Sequence, residues 1–284
     1  MLGQKFSHLP EVVKNLMIIN GLFFLATWSL SYRGIDLSNM FALHQFQSPD
    51  FQPHQLITHM FMHANFTHLF FNMFTLWMFG KILENKWGSK RFLTYYLITG
   101  FGAALIYVGY IQFQIYNISS QLDTELINQV LNASRDSKIS ANQSEILSMQ
   151  KLYALINVPM LGASGAVYGL LLAFGMIFPN TRLEMYVSLL ILISFEIIFS
   201  IPLPIFNIFI ILLVLSRINP ELNNYIWYTI PIQAKYFVLA YGILELYLSI
   251  MYTNDGIAHL AHLGGMIFGI ILLKYWKKKG DIWF

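Results

Sequence analysis

Leu161-Gly162-Ala163-Ser164-Gly165-Ala166-Val167-Tyr168-Gly169 runs on into Leu170-Leu171-Leu172-Ala173-Phe174, and this stretch decides the fold. Its apolar length predicts a helix over about 161 to 178 with Ser164 in the first turn, where a lipid-facing helix has no use for a hydroxyl. Free backbone N–H groups and the positive end of the helix dipole lie beside that hydroxyl, a place suited to stabilising an oxyanion. Gly165, Gly169 and Ala173 recur every four residues, so one stripe of the helix is nearly bare and a second helix can approach its backbone. Such stripes also occur in membrane helices without chemistry, where the serine is only an N-cap. The partner helix therefore decides what Ser164 is for.

Working outward, 56% of the 284 residues are hydrophobic and only 11% are charged, where a soluble domain carries about a quarter charged. With a mean hydropathy of +0.56 this is a polytopic, all-α membrane bundle. A net charge of +3 is too mild for a nucleic-acid partner. The absence of cysteine excludes thiol nucleophiles, disulfides and thiolate-bound metals. Stretches long enough to cross about 30 Å of hydrocarbon lie at roughly 13–30, 66–83, 92–112, 161–178, 236–252 and 257–276, a core of six helices. The first lacks a small-residue cleavage site and reads as a retained span.

Lys5 and Lys14 precede the first span, Lys81, Lys86, Lys90 and Arg91 crowd the turn after the second, and Lys274, Lys277, Lys278 and Lys279 end the sixth. By the positive-inside rule these regions and both termini are cytoplasmic, in the inner membrane if the source is bacterial. The segments 31–57 and 113–158 and the turn around Asp255 then face outside. The polar segment 113–158 is expected to form one or two surface helices, and its three Asn-x-Ser sequons are read as chance. Val187 to Leu215 is almost wholly apolar apart from Glu196 and is broken at Pro202-Leu203-Pro204. Each half covers about 20 Å at 1.5 Å per residue, so a re-entrant or interfacial hairpin on the cytoplasmic side is expected over about 187–230. The division is a single membrane domain, 1–284, with its core at about 10–186 and 231–278.

Histidine marks the partner helix. One cluster, His59-Met60-Phe61-Met62-His63 with His68 and Asn72, sits at the outer end of the second span, and His68 and Asn72 share a helical face. The other, His259-Leu260-Ala261-His262-Leu263-Gly264-Gly265, opens the sixth, where Ala261, Gly265 and Gly269 form a second bare stripe. Spans four and six can pack stripe to stripe, with Ser164 and His262 at the same end. An imidazole beside a serine takes its proton near neutral pH and returns it to a leaving amine, which is acyl-transfer chemistry. His68, Asn72 and the Ser164 N–H are the available oxyanion donors. No carboxylate neighbours His262 along the chain, Asp255 lying in the preceding loop and Glu245 in the fifth span, so a Ser/His dyad is expected rather than a triad. Tyr168, four residues after Ser164, is placed to lay its ring on the imidazole.

Taken together these residues resemble the rhomboid family of intramembrane serine proteases. The family's Gly-x-Ser-Gly appears as Gly162 to Gly165, its Ala-His-x-Gly-Gly as Ala261 to Gly265, and its His-x4-His-x3-Asn as His63, His68 and Asn72. The resemblance implies a six-helix core, with the hydrophobic hairpin inserted between core helices four and five. It implies Ser164 as nucleophile, His262 as base, His68 and Asn72 as oxyanion side chains, Tyr168 as stacking residue, Gly162 beside the bound carbonyl and His63 as structural. The spacing around Glu84 and Gly88 is also familial, whereas a Trp-Arg pair seen in some members is absent from 31–57. Substrates are expected to be transmembrane proteins cut in or near their membrane helices, with no cofactor and no metal.

Two rival readings stand beside this one. His59, His63 and His68, extended by His259, form a possible zinc set, yet the His-Glu-x-x-His of membrane zinc proteases is absent. A catalytically silent rhomboid-like protein that binds transmembrane helices is the other; such proteins usually lose the serine or the histidine, and both are present. Glu245 alone within its span is a weak sign of a proton relay.

Overall fold

The computed structural model describes residues 9–132, 143–188, 221, 227–251 and 258–280. The chain is mostly helical. Helix α1 (Glu11–Ser31), the short α2 (Leu37–Phe41) and α3 (Gln55–Thr58) lead to α4 (Phe66–Thr75), which passes through a π-helical turn at Leu76–Gly80 into α5 (Lys81–Trp87). Then come α6 (Ser89–Ser119), α7 (Thr124–Asn132), α8 (Gln143–Asn157), α9 (Ser164–Ile177), strands β1 (Arg182–Ser188) and β2 (Trp227–Gln233), α10 (Ala234–Met251) and α11 (His259–Lys279). Among the described residues, Glu11–Ser31, Ser89–Ser119 and Ala234–Met251 are each long and apolar enough to cross a membrane, and Ser164–Ile177 is a shorter apolar helix.

Contacts divide the chain into two compact units, residues 1–174 with 241–284, and residues 175–240. In the first, Glu84 has a clear structural task. No side chain of α1 caps its N-terminus. Instead the free N–H groups of Val12 and Val13 donate to the two Glu84 carboxylate oxygens at 3.0 and 2.8 Å, and the Ser89 hydroxyl donates to the same carboxylate at 2.7 Å. Gly88, at φ +79°, then reverses the chain between α5 and α6, a backbone that favours glycine. The 31–57 loop, without its Trp-Arg pair, is organised by the fully buried Gln55. That side chain accepts from the Gln52 and His44 N–H groups at 3.1 and 3.3 Å and donates to the Asp50 carbonyl at 2.9 Å.

Helix α6 is the post against which α9 and α11 stand. Tyr95 donates its hydroxyl to the Gly169 carbonyl at 2.9 Å. A methyl group placed on Gly165 would strike Ala103, one on Gly169 would strike Thr99, and one on Gly264 would come within 3.0 Å of the Ala103 backbone. At Gly265 it would overlap the Gly165 backbone itself. The two bare stripes thus meet directly at Gly165 and Gly265, while Gly169 turns to α6 rather than to α11. In the segment 113–158 the described residues form α7 and α8, and α6 extends into it as far as Ser119. Its Ile111 and Ile115 pack with Leu126 and Val130 of α7 and Met149, Leu152 and Ile156 of α8, a small apolar core that carries the helix past its last apolar stretch.

The all-α expectation is corrected in the second unit. β1 and β2 pair antiparallel over their whole length, Arg182 opposite Gln233 and Ser188 opposite Trp227. The insertion boundaries expected at 186 and 231 therefore fall inside strands. The ribbon is joined to the helix that follows it, since the Ala234 N–H donates to the Thr181 carbonyl at 2.9 Å. The apolar stretch expected to form the hairpin begins at Val187 and Ser188 in β1, and its continuation, with Glu196, lies outside the described residues.

Candidate active site

The turn before α9 is pinned from two sides. Leu43 and Met160 exchange backbone hydrogen bonds of 2.8 Å in an isolated antiparallel bridge, and the Gly162 N–H donates to the His59 carbonyl at 2.9 Å. Gly162 sits at φ +124°, and a Cβ there would approach the His68 ring to 2.7 Å. The bare glycine therefore admits both an unusual backbone and a histidine directly over it, and Ser164 follows two residues later at the start of α9.

Helix α11 opens symmetrically. Ala258 offers its carbonyl to the N–H groups of Ala261 and His262 at 2.8 and 3.3 Å, which fixes the first turn. His262 Nε2 lies 2.8 Å from Ser164 Oγ. With the proton on Nδ1, Nε2 accepts from the serine hydroxyl; with the opposite tautomer it donates. The ring of Tyr168 stacks on that imidazole, the centroids 4.2 Å apart and the planes within 6°.

The expectation that no carboxylate accompanies His262 is corrected here. Glu245 Oε2 lies 3.0 Å from His262 Nδ1 and 2.7 Å from His259 Nδ1, and Tyr168 donates its hydroxyl to Glu245 Oε1. The approach to His262 lies off the line a hydrogen bond prefers. Glu245 is 4% exposed, so its partners make its charge tolerable there. They come from α9 and α11 and not from its own helix. A carboxylate inside an apolar span is the one signal in the sequence that pointed this way.

His68 and Asn72 stand one turn apart on α4, whose N-terminus is capped by the Asn65 side chain accepting from the His68 N–H at 2.8 Å. Asn72 donates one amide hydrogen to the His68 carbonyl at 2.9 Å, leaving the second for another acceptor. His63 lies edge-on to His68, ring centroids 5.0 Å apart. His59 is buried ahead of the second span and its Nδ1 donates to the Gln55 carbonyl at 2.9 Å; burial lowers its pKa to about 4. The zinc set weighed from the sequence is not the cluster that forms. Among the described residues, the ligand-type atoms that gather are one each from Glu245, His259 and His262, within 4.8 Å of one another, and these could hold a metal ion.

A cavity of about 10 Å³, near the size one water needs, touches Ser164, Gly162, His59 and Met160. A larger cleft of about 590 Å³ lies at the end of α1, between Phe24, Trp28, Asp36 and His63, and includes neither Ser164 nor His262.

The model of the family described as Rhomboid domain matches residues 50–219, which is more than half of the chain. Two Arabidopsis thaliana proteins align with shorter stretches. Rhomboid-like protein 11, chloroplastic, is 35% identical over 91 residues, 32% of this chain and 30% of that one. RHOMBOID-like protein 6, mitochondrial, is 41% identical over 58 residues, 20% of this chain and 19% of that one. The chain thus spans less than a third of the length of either relative.

Proposed function

Because the chain belongs to the rhomboid family, we propose that it is an intramembrane serine endopeptidase that cuts transmembrane proteins in or near their membrane helices. The observation that carries this reading is the 2.8 Å separation of His262 Nε2 and Ser164 Oγ at the facing ends of two helices in direct backbone contact. His262 takes the serine proton as Oγ attacks the scissile carbonyl carbon. The carbonyl oxygen becomes an oxyanion received by the Ser164 N–H, the His68 ring and the Asn72 amide. His262 then gives its proton to the leaving amine, and the acyl ester is hydrolysed by a water activated in the same way. One oxyanion donor is worth about 2.7 to 4 kcal/mol of barrier. Tyr168 keeps the imidazole from turning out of line.

An intact substrate helix hides its carbonyls in i to i+4 hydrogen bonds, so the segment cut must unwind locally. We place the site at the outer end of a six-helix core, with both termini cytoplasmic, on the distribution of Lys and Arg.

The test is cleavage of a model transmembrane substrate in liposomes by wild type, Ser164→Ala and His262→Ala, with and without a chelator. Cutting by wild type alone, unaffected by the chelator, supports the reading. Survival of activity in Ser164→Ala, or its loss on chelation, overturns it. Binding without cutting, and no labelling of Ser164 by a fluorophosphonate, would favour a silent helix-binding protein.

A further inference from the structure

We propose that Glu245 is a positioning carboxylate for His262, so that the working unit is Ser164, His262 and Glu245; this rests on the protease reading above. Three observations carry it. Glu245 is buried in α10, yet each of its oxygens is engaged from another helix: Oε1 by the Tyr168 hydroxyl, and Oε2 by His259 Nδ1 at 2.7 Å. The same Oε2 stands 3.0 Å from the Nδ1 of His262, whose other nitrogen is at the serine. Finally, Tyr168 both donates to that carboxylate and stacks on that imidazole, so one side chain fixes the two groups relative to each other.

The chemistry follows from acceptor and donor roles. A carboxylate facing Nδ1 favours the tautomer with the proton on Nδ1, which leaves the lone pair of Nε2 for the serine hydroxyl. When Nε2 takes that proton the ring becomes a cation whose Nδ1 stands 3.0 Å from the anion, close enough for charge attraction although off the line of a hydrogen bond. The attraction is largest when the cation forms, so it lowers the barrier rather than tightening substrate binding. His259 donates to the same oxygen and holds it in place between the two rings. A latch between helices would need only the Tyr168 and His259 contacts; it would not need the carboxylate to face the base.

The experiment compares full-length wild type and Glu245→Gln in detergent, by the rate at which a fluorophosphonate labels Ser164 and by kcat and KM on a model transmembrane substrate. Gln keeps the size and can still accept from Tyr168, but its amide turns a donor or a neutral carbonyl toward Nδ1. Labelling and kcat are expected to fall at least about tenfold, with KM within about twofold and the melting temperature little changed. A folded Glu245→Gln that labels at the wild-type rate, or whose loss lies wholly in KM, overturns the proposal. Should Glu245→Gln not fold, proton NMR of wild type decides. A resting His262 ring protonated on Nδ1 supports the pairing, and one protonated on Nε2 overturns it. If wild type itself never labels, the protease reading fails first and is told apart by that result.

Discussion

His68 lies directly over Gly162: a Cβ on that glycine would sit 2.7 Å from His68 Cε1 and 2.8 Å from Nε2, and the glycine's φ of +124° is one that other residues rarely adopt. Gly162→Ala therefore strains the backbone and pushes away His68, the proposed oxyanion donor, in one step. We expect a stability loss of about 1–3 kcal/mol and a fall in kcat of at least about tenfold. Labelling of Ser164 and thermal melting, measured on the same sample, separate the two effects. An active Gly162→Ala of wild-type stability would falsify the placement of His68.

Gly265 and Gly165 bring α11 and α9 into backbone contact, and a methyl on Gly265 has no room against the Gly165 carbonyl. Gly265→Ala must push α9 and α11 apart by an ångström or so. Overpacking of this kind costs about 1–3 kcal/mol, and the 2.8 Å contact between His262 and Ser164 lengthens with it. The expected result is a lower melting temperature together with slow Ser164 labelling. Gly242→Ala is the matched control on α10, because its Cβ would meet only Met266 side-chain atoms at 3.6 Å or beyond.

These two glycines also show what the sequence could disclose. A four-residue period of small residues beside a serine or a histidine is a local pattern and is legible in the sequence, whereas of the six spans expected only three match described helices long and apolar enough to cross a membrane, Ser164–Ile177 being shorter. The role of Glu245 is not legible in this way, because Tyr168, His259 and His262 reach it from two other helices and no spacing along its own helix discloses them. The β-ribbon was missed for the same reason of distance. Its strands pair Arg182 with Gln233 across the whole insertion, and Pro231 in β2 made that stretch a poor strand candidate. The course of α6 to Ser119 was hidden because its support comes from α7 and α8, beyond a run of polar residues.

Glu84 offers a prediction about stability that is separate from chemistry. Its carboxylate is 3% exposed and takes the first free N–H groups of α1 in place of an N-cap. Glu84→Ala leaves those two donors and the Ser89 hydroxyl without that acceptor. Loss of a cap costs about 0.5–2 kcal/mol, and charge-assisted bonds raise the figure, so about 2 kcal/mol is expected; Glu84→Gln, which keeps one acceptor oxygen, should lose about half. Melting in detergent measures this. A loss in Glu84→Ala no greater than in an exposed control such as Lys86→Ala would mean that α1 is held by other contacts.

His59 makes stability depend on pH. Burial holds its ring neutral, with a pKa of about 4 in the folded chain against an ordinary value near 6.5. Between those two values the unfolded chain binds the extra proton and the folded chain does not, so stability falls as pH drops through this window and is fully present above it. The whole span amounts to about 3 kcal/mol. Wild type should therefore melt at progressively lower temperature from about pH 6.5 down toward pH 4. In His59→Gln the side chain still donates to the Gln55 carbonyl but cannot titrate, and the acid loss should be visibly shallower even if the variant starts less stable at pH 8. Parallel melting curves for the two proteins across this range would mean that other groups, and not the histidine behind Gly162, set the acid limit.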